Sequence, residues 1–203
     1  MWIKRSFCVV LGMLISSASF SFSMAQLQKK LTAHDLLRGD FVQHKQMKMF
    51  KQPLVSNGHF LLDNKNGLIW QQESPFPVAL VLVKDKLKQQ IAKQPAQVIL
   101  AKDNPMVFYF SHLFLSLFKG DIKQLEQQFS LTLSGSSERW QLQLTPKSAP
   151  LNRIFSYIDI SGAQYIDQLK LVELSGDSSL LDFSQQRALP VQLNEEEKRA
   201  FKF

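Results

Sequence analysis

The chain has 203 residues, 45% hydrophobic and 20% charged, with 24 Lys and Arg against 17 Asp and Glu. Its one cysteine, Cys8, lies in an apolar run near the N-terminus, so a chain that loses this run has no thiolate, no Cys-ligated metal and no disulfide. Those absences exclude the disulfide-stapled class of small exported proteins and leave the fold to be held by its core.

Lys4 and Arg5 precede the apolar run Phe7 to Ile15, followed by small polar residues, the pattern of a secretory signal peptide. The run is shorter than the roughly 20 residues that span a bilayer. Ser23-Met24-Ala25 is the preferred cleavage site and Ser16-Ser17-Ala18 the alternative, which gives a signal over residues 1–25 and one domain over 26–203 in the periplasm. Without Lys4 and Arg5, 22 basic residues face 17 acidic ones, a net +5. The lysines are scattered in small groups, Lys45, Lys48 and Lys51 or Lys84, Lys86 and Lys88, which read as solvated strand faces or as an attraction for anionic lipid headgroups. Export, and the lack of an aromatic-and-basic motif, argue against nucleic acid as a partner.

From the N-terminus, Gln26 to Arg38 is expected to be helical, with Leu27 and Leu31 four apart. Phe41 to Phe50 reads as a first strand and Leu54 to Leu62 as a second. Asp63-Asn64-Lys65-Asn66-Gly67, dense in residues that tolerate left-handed conformations, closes a hairpin into Leu68 to Gln72. Val78 to Val83 is apolar at every position, as in a strand covered on both faces, so something must lie over its second face. Lys84 to Leu87 turns into Gln89 to Ala92, and Val98 to Leu100 follows Pro95. Asn104 and Pro105 then announce a helix, Met106 to Phe118, apolar almost all round and unable to lie on a solvated surface. A polar helix from Asp121 to Gln128 follows. Strands resume at Phe129 to Leu133 and Trp140 to Leu144, then Ile154 to Ile160, Tyr165 to Leu174 and Ser178 to Phe183, for a total of ten or eleven. Asn194 before Glu195-Glu196-Glu197 is a helix start.

No catalytic constellation emerges from this pattern. His34, His44, His59 and His112 fall on different elements without metal-ligand spacing, and neither a Gly-x-Ser-x-Gly elbow nor a Gly-x-x-x-x-Gly-Lys loop occurs. The chain is expected to have no catalytic residue, no metal and no cofactor. What it has in excess is apolar bulk, including 16 phenylalanines. The helix Met106 to Phe118 is either a central core helix or a lid over a concave sheet, and apolar walls with few polar anchors describe a lipid site. At about 0.8 kcal/mol per methylene, a chain of a dozen carbons supplies on the order of 8 to 10 kcal/mol before binding costs.

Several spaced features resemble the LolA family of periplasmic lipoprotein carriers, in particular a divergent branch. They are Gly39-Asp40-Phe41-Val42-Gln43, Leu54-x-Ser56-x-Gly58-x-Phe60, Gly67-Leu68-Ile69-Trp70, Glu73-Ser74-Pro75-Phe76-Pro77 and Leu144-Thr145-Pro146-Lys147. The resemblance implies a mainly β fold with helices, a single antiparallel sheet curved into an incomplete β-barrel under a helical lid. It also implies a monomeric carrier that takes lipoprotein from an inner-membrane exporter to an outer-membrane acceptor, with acyl chains in the cavity. Carried across by position, the lipid-binding residues are Phe60, Trp70, Leu80 and Leu82 on the sheet and Met106, Phe110, Leu113, Phe114 and Leu117 on the lid. The main branch has an Arg-Pro pair shortly before the strand tryptophan that ties the lid, whereas this chain has Asn64 and Lys65, so lid opening and cargo are expected to differ. A specialised glycolipid or pigment lipid is one alternative cargo. A lipid-sensing regulatory module of the envelope is an alternative of another class, and an enzyme acting on lipid is a third.

Overall fold

The computed structural model describes residues 22–203. Most of the expected signal peptide lies outside the described residues, and so do the side chains of Pro105, Met106, Val107, Phe110, Leu113 and Phe114.

Eleven strands form one antiparallel sheet. The first half contributes β1 (Leu36–Gln46), β2 (Leu54–Asp63), β3 (Gly67–Ser74), β4 (Val78–Leu82), β5 (Lys86–Ile91) and β6 (Gln97–Leu100). The second contributes β7 (Phe129–Gly135), β8 (Trp140–Pro146), β9 (Phe155–Gly162), β10 (Ile166–Glu173) and β11 (Ser178–Arg187). Each half is a meander of consecutive hairpins, and the two are joined where β1 pairs with β11, Phe41 opposite Phe183. The spatial order β6-β5-β4-β3-β2-β1-β11-β10-β9-β8-β7 leaves β6 and β7 as the two edges. The sheet is therefore not closed into a barrel. α2 (Pro105–Phe118) and α3 (Ile122–Gln128) carry the chain from one edge to the other.

Alternation along the strands divides the side chains between two faces. On β2, Phe60 and Leu62 belong to the main core and Leu61 to a second cluster, while on β3 Leu68 and Trp70 oppose Ile69 in the same way. The main core packs the sheet against α2, α3 and α1 (Met24–Leu31) through Phe118, Ile122, Leu125 and Leu27. The second cluster, Leu36, Leu61, Ile69 and Val81, is covered by Leu193, Phe201 and Ala200 at the end of the chain, where α4 (Glu195–Ala200) lies. At Val81 that tail supplies the cover expected over the second face of the apolar run Val78 to Val83. Asn194 caps α4, as its sequence suggested.

The β2–β3 hairpin shows how polar residues set a tight connection. Asp63 Oδ1 accepts from the backbone N–H of Lys65 and Asn66, and its Oδ2 from the Asn66 amide. Gly67 then adopts φ +131°, and a Cβ there would meet Leu82 O at 2.0 Å.

Several boundaries differ from expectation: β5 begins at Lys86, inside the expected Lys84 to Leu87 turn, β11 runs to Arg187 instead of ending at Phe183, and the largest differences are at the start of the sheet. The first helix ends at Leu31, with Thr32 as its cap, instead of running to Arg38. Leu36, Leu37 and Arg38 pair with Asp63, Leu62 and Leu61 on β2, and sheet pairing outweighs a weak helical periodicity. The first strand accordingly spans Leu36–Gln46 rather than 41–50, because the chain has already turned at Lys48 and Met49.

Candidate functional site

A cavity of about 350 Å³ lies on the concave face beneath α2. Leu87 on β5, Leu80 and Leu82 on β4, and Leu68 and Trp70 on β3 form one wall, with Leu181 on β11 and Leu171 on β10 opposite. Gln43 on β1 and Ser111 on α2 are its polar contributors. β5 and β10 are six strand steps apart, roughly 29 Å in a flat sheet at about 4.8 Å per step. That both line one cavity shows how strongly the sheet curls. The size and the apolar lining with few polar groups suit a small-molecule or acyl-chain site.

Of the residues named from sequence, Trp70, Leu80 and Leu82 line this cavity. Phe60 shares their face but is buried below it, its ring 6.4 Å from Trp70 and edge-on to Phe183 at 5.4 Å. Leu117 is likewise buried in the core and does not line the cavity. Met106, Phe110, Leu113 and Phe114 lie on α2, and their side chains fall outside the described set. Sequence reading missed Gln43, Leu68, Leu87, Ser111, Leu171 and Leu181. Alternation would have placed Leu68 and Leu87 beside Trp70 and Leu82, whereas Leu171 and Leu181 reach the cavity only through the β1–β11 pairing.

The helical cover is tied to the sheet by polar contacts. Lys119, just past α2, donates from Nζ to Asn64 O at 2.9 Å, and His112 Nε2 meets Lys84 O. Asn64 is itself fixed by its amide donating to His34 O at 3.3 Å and its N–H to Asp35 O at 2.8 Å. Where the carriers resembled in sequence place an arginine on the hairpin, a lysine here reaches from the lid to the hairpin backbone. Along α2 a second cavity of about 390 Å³ is lined by Lys65, Lys84, His112 and Lys119 with Asp121, a basic groove next to the apolar one.

Arg38 anchors the opposite, convex face. Its Nε and one terminal nitrogen donate to the two Glu197 oxygens, each at 2.7 Å, and its guanidinium also donates to Pro190 O at 2.8 Å and Gln192 O at 3.0 Å. That hydrogen bond holds the Glu197 carboxyl below its ordinary value, burial pulling the other way, and raises Arg38. Lys88 completes the tether by donating to Ala200 O and Lys202 O, 5.0 Å from the Phe203 ring centre. On the same face His59 lies between Asp40, at 2.8 Å, and Glu73, at 3.0 Å. The Asp40 hydrogen bond raises the His59 pKa against some desolvation, and Glu73 adds to the rise. Both neighbours are carboxylates on an exposed surface, so the trio is a solvent-facing ion-pair cluster. Among the described residues, no group of three or more His, Cys, Asp or Glu is placed to hold a metal ion, and no helix is long and apolar enough to cross a membrane.

A family model described as outer membrane lipoprotein carrier protein LolA-like matches residues 16–180. The chain belongs to this family. Among solved structures, a LolA superfamily protein from Nitrosomonas europaea is similar at 11% identity over 90% of this chain and 99% of that one, with a TM-score of 0.47. A DUF1329 family protein from Desulfovibrio piger is similar at 11% identity over 88% and 96%, with a TM-score of 0.46. No curated protein matches the chain. In this LolA-like chain the family match runs from before α1 to the start of β11, so it includes both helices of the cover and every residue lining the cavity except Leu181 on β11.

Proposed function

We propose that this LolA-like protein is a periplasmic carrier that takes the acyl chains of a lipoprotein or related lipid into the concave cavity, moves them from inner to outer membrane, and catalyses no reaction. The observation that carries this is the 350 Å³ apolar cavity under α2, walled from both halves of the sheet. Filling it removes Trp70, Leu80 and Leu171 from water, which drives acyl binding without a specific polar partner. An inner-membrane exporter would load the protein and an outer-membrane acceptor unload it. Export would follow cleavage after Ala25 or after Ala18; only the second retains Ser23, whose side chain accepts from Gln26 N and caps α1.

The basic groove favours one refinement of cargo. Lys65, Lys84 and Lys119 beside an acyl cavity suit a lipid with an anionic head, such as a specialised glycolipid, better than a neutral one. Native mass spectrometry of the mature protein purified gently from periplasm, followed by denaturing extraction, tests the carrier reading. A stoichiometric lipid or lipoprotein is expected. Apo-protein that also refuses added acylated peptides and phospholipids would overturn it and favour a regulatory module on the same fold.

A further inference from the structure

One end of the sheet is formed by the tips of the β1–β2, β3–β4, β5–β6 and β10–β11 hairpins. The register brings them together: Lys45 is opposite Leu54, Asn57 opposite Ser74, Val78 opposite Ile91 and Gln46 opposite Ser178. This end carries most of the large apolar side chains that the described residues expose. Met49, Phe50, Leu54 and Val55 come from the first hairpin, Phe76 from the second and Leu174 from the last, with Met49 76% and Phe76 55% exposed. Scattered single exposed apolar residues need no explanation, but a group of bulky ones on adjacent hairpin tips does.

The cations sit among the apolar side chains, Lys48 and Lys51 flanking Met49 and Phe50 directly. Lys45, Lys48, Lys51 and Lys93 lie on these strands and tips, against Glu73, Glu173 and Asp177. Two of the acids are already engaged, since Glu73 meets His59 and Asp177 accepts from Lys48 N at 2.8 Å. Bulky apolar tips interleaved with lysines match the two requirements of an anionic bilayer surface: side chains to enter the headgroup boundary and cations to face the phosphates. A protein partner would bring its own hydrogen-bonding groups, whereas the proline-bearing turns Gln52-Pro53 and Pro75-Phe76-Pro77 offer few backbone donors to meet them. The surface also leads toward the cavity. Val78 lies two residues from Leu80 on β4 and so shares its face, beside Ile91.

We infer that this hairpin end docks the protein reversibly on anionic membrane surfaces, Met49, Phe50 and Phe76 entering the interface and Lys48 and Lys51 facing the lipid phosphates. Docking of this kind does not depend on the cavity holding a cargo.

Co-sedimentation of the mature protein with large unilamellar vesicles tests it, comparing phosphatidylethanolamine–phosphatidylglycerol with phosphatidylethanolamine–phosphatidylcholine. Binding is expected only with the anionic lipid and should weaken as salt rises. Lys48→Gln with Lys51→Gln should cost about fivefold per lysine, and Phe50→Ser with Phe76→Ser about fivefold per ring, given that each ring is already half-buried in the free protein. All four positions are at exposed tips, and circular dichroism with thermal melting verifies that each variant folds. Leu80→Trp, which fills the cavity, should dock like the unaltered protein. If Leu80→Trp lost sedimentation, lipid uptake rather than surface docking would be what the assay sees, and the inference would fail. It would fail equally if the protein ignored anionic vesicles or if the tip variants bound undiminished.

Discussion

Arg38→Ala should release the C-terminal tail from the convex face and lower stability by about 3 kcal/mol. The magnitude follows from what the side chain holds. Its side chain is 9% exposed and that of Glu197 16%, so the pair is close to buried, and it makes two charge-assisted hydrogen bonds at 2.7 Å. Removing one partner of a buried pair costs about 3–5 kcal/mol, mostly because the other charge stays behind. Glu197 keeps the Asn194 N–H at 2.8 Å and can turn to water, which places the loss at the low end. Pro190 O and Gln192 O lose their donors as well, and the apolar cluster Leu36, Leu61, Ile69 and Val81 loses its cover where the tail lifts. Urea unfolding gives the stability difference. Trypsin reports the tail directly, because Lys198 and Arg199 lie on α4. A change under about 0.5 kcal/mol with unchanged cleavage at α4 would refute the clamp, since that lies within what an exposed surface ion pair contributes.

Other outcomes follow from the same geometry. Because Glu197 is held below its ordinary value of 4.5, its contribution is fully present above that pH and is lost as pH falls through the lower folded value; tail cleavage by an acid-active protease should rise as pH falls through that window in the unaltered protein and show no such step in Glu197→Gln. His59 is shifted the other way, so its small contribution is present below its ordinary value of 6.5 and is lost as pH rises through the higher folded value, and a melting-temperature titration of His59→Gln should lack that decline. Leu80→Trp should fill the cavity and lower affinity for a fluorescent fatty acid at least tenfold while leaving the fold intact, as read by competition binding. Lys119→Met removes the tie to Asn64 O and should speed acyl uptake several-fold in stopped-flow fluorescence with little change in melting temperature.

Legibility in the sequence followed the range of the interactions. The hairpins could be read because their determinants are local: Asp63 through Gly67 close one with their own hydrogen bonds, and Asn104-Pro105 start α2 where expected. The failure at Leu36 to Arg38 has the same root, since these residues take their structure from β2, about 25 positions away along the chain. Arg38 was read as the end of a helix because its partner is 159 residues distant, and Glu197 could be read only as an acid at a helix start. The cavity was half visible. Trp70, Leu80 and Leu82 come from one meander, while Leu171 and Leu181 come from another that only the β1–β11 junction sets opposite them.

Alternating residues of the same strands go to the two faces of the sheet, one covered by the tail and the other lining the cavity proposed to bind lipid. Ile69 and Val81 lie under the tail while their neighbours Trp70, Leu80 and Leu82 face the cavity. An unfilled, dry cavity of 350 Å³ would cost up to about 8 kcal/mol at roughly 24 cal/mol per Å³, a bound that water entering from its open side reduces. A sheet covered on its convex face can carry that cost without being packed shut on its concave one. If the faces act independently, a saturating acyl ligand must raise the stability of Arg38→Ala and of the unaltered protein by the same increment, RT ln(1 + [L]/Kd). A smaller increment in Arg38→Ala would mean that lifting the tail deforms the cavity, and so that the clamp on one face sets the affinity of the other.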